Sequence, residues 1–189
     1  SSLERAVEGG YNFSSALVGQ ECCTTMNRME QYFEYCKLIP NEKFFVCCID
    51  MPTKKGEWYA GYFRRQIEKK IIAPMKEVYG VDFSDEKIPD AIERHNALCR
   101  IITEIGNFRK LDNPPITGYE FHVIQLVSEV CPKYLIIDKL RETLEELKTR
   151  KPDENPPFRT RVMLAGSEID DPEFTKLVEM CGALVVADR

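Results

Sequence analysis

The chain has 189 residues, 43% of them hydrophobic and 30% charged, with a formal net charge of −5 and a pI near 5.3. That balance excludes a disordered chain, supplies no basic field to attract nucleic acid, and leaves no run near the roughly 18 apolar residues that a membrane-spanning helix needs. With no signal-peptide pattern at the N-terminus, the expectation is a soluble, cytoplasmic protein.

In chain order, Leu3 to Glu8 predicts a short helix closed by Gly9-Gly10, and Phe13 to Gly19 a first strand. The polar break Gln20-Glu21-Cys22-Cys23 follows, then a helix over about 25–38 with Thr24 or Thr25 as its N-cap. Lys43 to Ile49 is a continuous apolar run ending in Asp50, as a strand covered on both faces reads. A long helix over 56–80 turns Trp58, Phe63, Ile67, Ile71 and Val78 inward and leaves Lys69-Lys70 solvated, with Pro74 dividing it near Ile72. Ser84 is placed to cap a further helix running to about Lys110, whose apolar stripe includes Ile88, Ile92, His95, Leu98, Ile102 and Ile105.

The rigid turn Asn113 to Gly118 lets Thr117 cap a helix over 119–130, and Pro132 opens another over 133–151. Lys151-Pro152-Asp153-Glu154-Asn155-Pro156-Pro157 is polar and proline-rich, which marks a domain boundary at 151/152. After it come a strand at 161–165, a helix over 173–180 with Asp171 as N-cap and Pro172 at its first position, and a strand at 183–187: one parallel βαβ unit.

Eight cysteines are many, yet Cys47 and Cys48 fall in a strand, Cys99 and Cys131 in helical patterns, and no CxxC occurs. In a chain long enough for a real core, this indicates a reducing compartment rather than a disulfide framework, and argues against a zinc ribbon. The thiols with chemical promise are Cys22 and Cys23. They stand where the loop leaves a strand end and enters a helix N-terminus, whose free N–H groups favour thiolate, the metal-binding form. The competing reading is plain packing, the commoner fate of cysteine, and adjacent cysteines do not suit one mononuclear metal, so one of the two at most is a ligand.

Other signals weigh less. Gly166-Ser167-Glu168-Ile169-Asp170-Asp171 joins strand to helix but has one glycine and three carboxylates, so capping explains it better than phosphate binding. His95 and His122 occupy apolar-face positions without a serine motif, and Asp50 reads as a strand-end cap or, as the alternative, a polar site residue.

Taken together and in order, several stretches resemble the subunits of 2-hydroxyacyl-CoA dehydratases and benzoyl-CoA reductases. They are Leu3-Glu4 to Gly10-Tyr11-Asn12-Phe13, the cysteine loop with Asn27-Arg28-Met29-Glu30, Asp50-Met51-Pro52, Arg94-His95-Asn96 to Arg100, Arg109-Lys110 with Asn113 to Gly118, Arg161 to Gly166, Ile169 to Pro172, and Gly182 to Asp188. The resemblance implies two Rossmann-like lobes with a cysteine-ligated [4Fe–4S] cluster between them. One cluster cysteine of that family opens a Cys-Asp pair about eight residues ahead of a glutamate; counting back from Glu30 gives Cys22, with Cys23 where aspartate is usual, so Cys23 stays open as the alternative. Further cluster cysteines of the family stand upstream and downstream of the matching stretch. The resemblance therefore implies an internal piece holding a single ligand, inactive and without its cluster.

The implied parent activity is radical elimination of water from a 2-hydroxyacyl-CoA through a ketyl radical. It needs a second dehydratase subunit and an ATP-dependent iron–sulfur activator protein. Reduction of an aromatic thioester by a benzoyl-CoA reductase-type subunit is the alternative; of another class, the chain is a non-catalytic α/β interaction domain. The expected fold is helix-dominated α/β, a Rossmann-like parallel sheet with a large helical insertion. Residues 1–151 are expected to form one lobe, and 152–189 either to begin a second or to join the first sheet.

Overall fold

The structure, a computed structural model, describes residues 2–21, 23–152, 158, 160–166 and 169–188. It is 58% helical, with short parallel strands in two small sheets, as the helix-dominated α/β expectation requires. The chain divides into two compact units, 1–85 and 86–189. The helical excursion after residue 86 thus shares a unit with the last βαβ segment, a different partition from the expected lobes at 151/152.

In the first unit, α1 (Ser2–Val7) precedes β1 (Ala16–Gln20), α2 (Thr24–Tyr35) and β2 (Phe45–Ile49). The two strands pair in parallel with Ala16 opposite Phe45 and Gly19 opposite Cys48, α2 lying between them in the chain as the crossover of a βαβ unit. The core gathers Ala6, Phe33 and Ile39, with Tyr11, Leu17, Phe44 and Val46 packed around them. Phe33 stands 6.3 Å from Tyr11 and 6.4 Å from Phe44 between ring centroids, so one aromatic residue of α2 pins the helix between the loops that enter both strands.

The long helix is divided, as Pro74 predicts. α3 (Glu57–Ile67) passes through a π-turn (Glu68–Ile72) into α4 (Ala73–Tyr79), and the wider turn stands just ahead of Pro74, whose ring and missing N–H cannot continue the regular ladder. The π-turn brings Lys70 to the sheet, where its Nζ donates to Cys48 O at 2.7 Å, so Lys70 is not a solvated residue. Tyr79, before the left-handed Gly80, places Oη 2.8 Å from Ser15 O and 2.9 Å from Lys43 O. One phenol thereby fixes the starts of both strands. Trp58, expected inward, is 68% exposed and stacks on Tyr62 with rings 10° apart.

The second unit begins with α5 (Lys87–Asn107), continued by a 3₁₀ turn (Phe108–Lys110), then α6 (Gly118–Val130), α7 (Lys133–Thr149), β3 (Thr160–Leu164), α8 (Pro172–Met180) and β4 (Ala183–Asp188). Its core is one cluster in which Leu98, Ile101 and Ile105 of α5 meet Ile136, Leu140, Leu144 and Leu147 of α7, with Ile116 and Phe121 closing one end. Only the C-terminal half of the α5 stripe is used: Ile88, Ile92 and His95 are exposed, against expectation. Helical spacing fixes which residues share a face but not how far a packing partner extends along it.

Caps divide along similar lines. Thr117 forms the expected capping box, its Oγ1 accepting from Glu120 N at 3.1 Å while Thr117 N donates to Glu120 Oε2 at 2.9 Å. Asp171 caps α8 by accepting from Glu173 N at 3.0 Å, with Pro172 at the first helical position. Ser84, in contrast, caps nothing: α5 starts at Lys87, and Ser84 N instead donates to Asp82 Oδ1.

β3 and β4 pair in parallel as a sheet of their own, with a register irregularity at Val162/Met163. Two charged side chains lock this unit. Arg161 donates to the carbonyls of Leu111 and Arg109, both at 2.6 Å, holding the turn after α5 to β3. Glu179 accepts from Gly118 N at 2.8 Å, Tyr119 N at 3.2 Å and Val185 N at 3.1 Å, so a carboxylate of α8 satisfies the free N-terminal donors of α6 and ties them to β4.

Candidate functional site

The edge of the first unit where β1 and β2 end is where an open parallel sheet presents its ligand-binding loops. The pairing continues one step past β1, with Glu21 N donating to Ile49 O at 2.9 Å. Cys22 lies outside the described residues. Cys23 is the N-cap of α2, in extended conformation, which moves the cap one residue ahead of the expected Thr24 or Thr25. Its thiol is exposed and makes no full capping hydrogen bond, yet the backbone N–H groups of Met26 and then Thr25 hold its pKa below the ordinary thiol value. A thiol that is exposed, unpaired and biased toward thiolate is chemically suited to bind a metal. Beside it, Thr24, Thr25, Met26 and Met29 of α2 and Leu3 of α1 line an open groove of about 540 Å³.

The other thiols of the sheet are different in kind. Cys47 is buried, and burial together with the Glu30 charge pushes its pKa up. Cys48 is pushed up to about 12 by burial first and by its hydrogen bond with Glu30 second, the Glu30 and Glu21 charges adding to the effect. Both thiols hold their protons more tightly than an ordinary cysteine.

Glu30 is the feature that reading the sequence missed. Its carboxylate is 3% exposed, its Oε1 has no hydrogen-bond partner among the described residues, and it occupies the volume in front of Gly19, where a Cβ would stand 1.7 Å from Oε1. The available signal was the isolated glycine inside a strand, which marks close approach by another group. At the end of β2, Asp50 is more than a strand cap. Tyr62 Oη of α3 donates to Asp50 Oδ2 at 2.5 Å, and that bond, with burial and the Asp50 charge behind it, raises the phenol pKa. Glu21 contributes to the same shift, so Glu21, Asp50 and Tyr62 share this edge with the cysteine loop.

The histidines take separate roles. His95 is exposed, its Nε2 3.5 Å from Cys99 Sγ. His122 is buried and bonds Thr175 through Nδ1 at 2.9 Å. Ser167 and Glu168 of the glycine loop lie outside the described residues; Asp171 has the capping role expected of it. Among the described residues no group of three or more His, Cys, Asp or Glu is placed to hold a metal ion, and no helix is long and apolar enough to cross a membrane.

Comparison with curated proteins found no match. The family described as 2-hydroxyglutaryl-CoA dehydratase, D-component, matches residues 1–189, the same length over which the quoted stretches follow one another in order. The chain belongs to the 2-hydroxyglutaryl-CoA dehydratase D-component family.

Proposed function

We propose that the chain is part of an iron–sulfur subunit of a 2-hydroxyacyl-CoA dehydratase, and that the loop after β1 contributes one cysteine to a [4Fe–4S] cluster, Cys22 with Cys23 as the alternative. The observation that carries this reading is the state of Cys23: exposed at the N-terminus of α2, with Met26 and Thr25 N–H groups favouring its thiolate, while Cys47 and Cys48 are held as thiols. Family membership supplies the reaction class.

A cluster at this edge would supply one-electron chemistry toward a thioester substrate. The chain's own residues would do the rest. The loop presents in Cys23 an exposed thiol whose pKa is lowered by the Met26 and Thr25 N–H groups, unlike those of Cys47 and Cys48. Thr24, Thr25, Met26 and Met29 form a partly apolar wall of the open groove beside the loop. Tyr62, its proton engaged by Asp50, keeps a neutral phenol at the same edge over the physiological pH range, so Asp50 presents a hydrogen-bonded carboxylate there. The Glu30–Gly19 contact seats α2 on β1, the two elements that flank the loop.

The partners in this reading are an acyl-CoA substrate, a second dehydratase subunit and an ATP-dependent iron–sulfur activator protein, in the cytoplasm. The test is an anaerobic assay of the full-length subunit with its partner and activator against a panel of 2-hydroxyacyl and aromatic CoA thioesters. Dehydration of a 2-hydroxyacyl-CoA is expected. Ring reduction without dehydration would favour the benzoyl-CoA reductase-type alternative, and inertness toward the whole panel the non-catalytic one.

A further inference from the structure

The N-terminal half of α5 carries a pair of metal-ligating side chains that the reading above does not use. His95 and Cys99 stand four residues apart on the helix, and both are exposed. Their donor atoms face each other, His95 Nε2 lying 3.5 Å from Cys99 Sγ. Side chains at this spacing share one face of a helix, so regular backbone sets the pair.

That separation is the size of a metal chelate. A tetrahedral zinc ion bound about 2.3 Å from sulfur and about 2.05 Å from nitrogen holds those two atoms about 3.5 Å apart. With the ring proton on Nδ1, the thiol donates to Nε2, and this is also the tautomer whose Nε2 lone pair can take a metal. An imidazole nitrogen and a thiolate suit a borderline ion of the zinc class. Magnesium and calcium take oxygen donors, which the pair does not offer.

The surroundings favour the same use. Leu98 and Ile101, 3% and 8% exposed, fix this stretch of α5 in the core of the second unit, so the turn that carries both ligands is held from its other side. Ile88 and Ile92 continue the ligand face toward the start of the helix and bring no charge to it. Arg94 and Arg100 are each one residue from a ligand and therefore stand on other faces, Arg100 pairing with Glu93 at 3.8 Å.

The geometry points to a binding site for one divalent ion of the zinc class on α5, with His95 Nε2 and Cys99 Sγ as its ligands. Binding forms a metal–nitrogen and a metal–sulfur bond, breaks the S–H bond and releases that proton to solvent, with nothing oxidised or reduced. Two of the four positions of a tetrahedral ion are left to ligands from outside the pair, in contrast to a closed structural site. The site owes nothing to the cysteine loop after β1.

The test follows Cys99 in the full-length subunit by peptide mass spectrometry after timed iodoacetamide alkylation under reducing conditions, with free Zn²⁺ set by a chelating buffer. Cys36 and Cys181, exposed thiols with no histidine within four residues in sequence, are the internal comparison. Zn²⁺ is expected to slow alkylation of Cys99 saturably, by about tenfold, at concentrations that leave Cys36 and Cys181 unchanged, while Mg²⁺ slows none of them. His95→Gln should remove the protection, and His95→Cys, which supplies a thiolate at the same spacing, should keep it. Unslowed alkylation of Cys99, equal protection of Cys36 and Cys181, protection by Mg²⁺, or protection that survives His95→Gln overturns the assignment. The readout is confined to the Cys99 peptide, so failure of the iron site at the cysteine loop leaves this result standing, and the reverse holds.

Discussion

Glu30 Oε1 lies 1.7 Å from the point where a Cβ on Gly19 would stand, so the carboxylate of α2 and the bare backbone of β1 form one close-packed joint below the cysteine loop. Neither residue tolerates change alone. Gly19→Ala is expected to destabilise the first unit by about 1–3 kcal/mol, because the buried carboxylate has no room to retreat. Adding Glu30→Ala should return part of that loss, a coupling that a double-mutant cycle reads directly. Denaturation followed by fluorescence of Trp58, the single tryptophan and a residue of this unit, measures it. Additive losses would dissolve the joint.

The thiols should sort by pH. Cys23, with its pKa lowered by the Met26 and Thr25 N–H groups, is expected to react with iodoacetamide at a pH below that of an ordinary thiol. Cys48, held near 12, should stay unmodified through the same range. Linkage gives a second readout. The unfolded Cys48 thiol ionises near pH 8.5 while the folded one keeps its proton, so its contribution to stability is intact below that pH and falls as pH rises toward 12. Peptide mass spectrometry after timed alkylation measures the order; Cys48 reacting first would contradict it.

Thr117 tests the second unit at its most legible point. Thr117→Ala removes the acceptor for Glu120 N and should cost about 1 kcal/mol, and Thr117→Ser should cost little. Urea denaturation followed by the helical circular dichroism signal is the measurement.

Arg109 should not accept its usual conservative replacement. Its guanidinium is 6% exposed, bonds Asp188 at 2.9 Å and lies 3.7 Å over the Phe121 ring, a planar stack that an ammonium group does not reproduce. Arg109→Ala should lose about 3 kcal/mol, and Arg109→Lys should recover less than half of it. Full recovery by lysine would reduce the contact to simple charge pairing.

What the sequence made legible follows from local chemistry. The four strands, the split at Pro74, the Thr117 capping box and the Asp171-Pro172 helix start were readable because each is decided within a few residues. Tertiary packing decided the rest. Trp58 obeys helical spacing yet is 68% exposed, its ring packed on Tyr59 and Tyr62 of its own helix. Ser84 has cap chemistry but stands outside the helix. The loop after β1 was found from its thiols and its position, whereas the Glu30–Gly19 joint and the Tyr62–Asp50 pair join residues from different elements and become visible only in three dimensions.

The central claim is that a thiol of the loop after β1 holds iron. Iron and acid-labile sulfide, measured anaerobically on the full-length subunit with its partner, test it in Cys22→Ala and Cys23→Ala, with Cys48→Ala as the comparison. One of the loop variants is expected to lose most of its iron and sulfide while Cys48→Ala keeps both. Unchanged cluster content in both loop variants would contradict it.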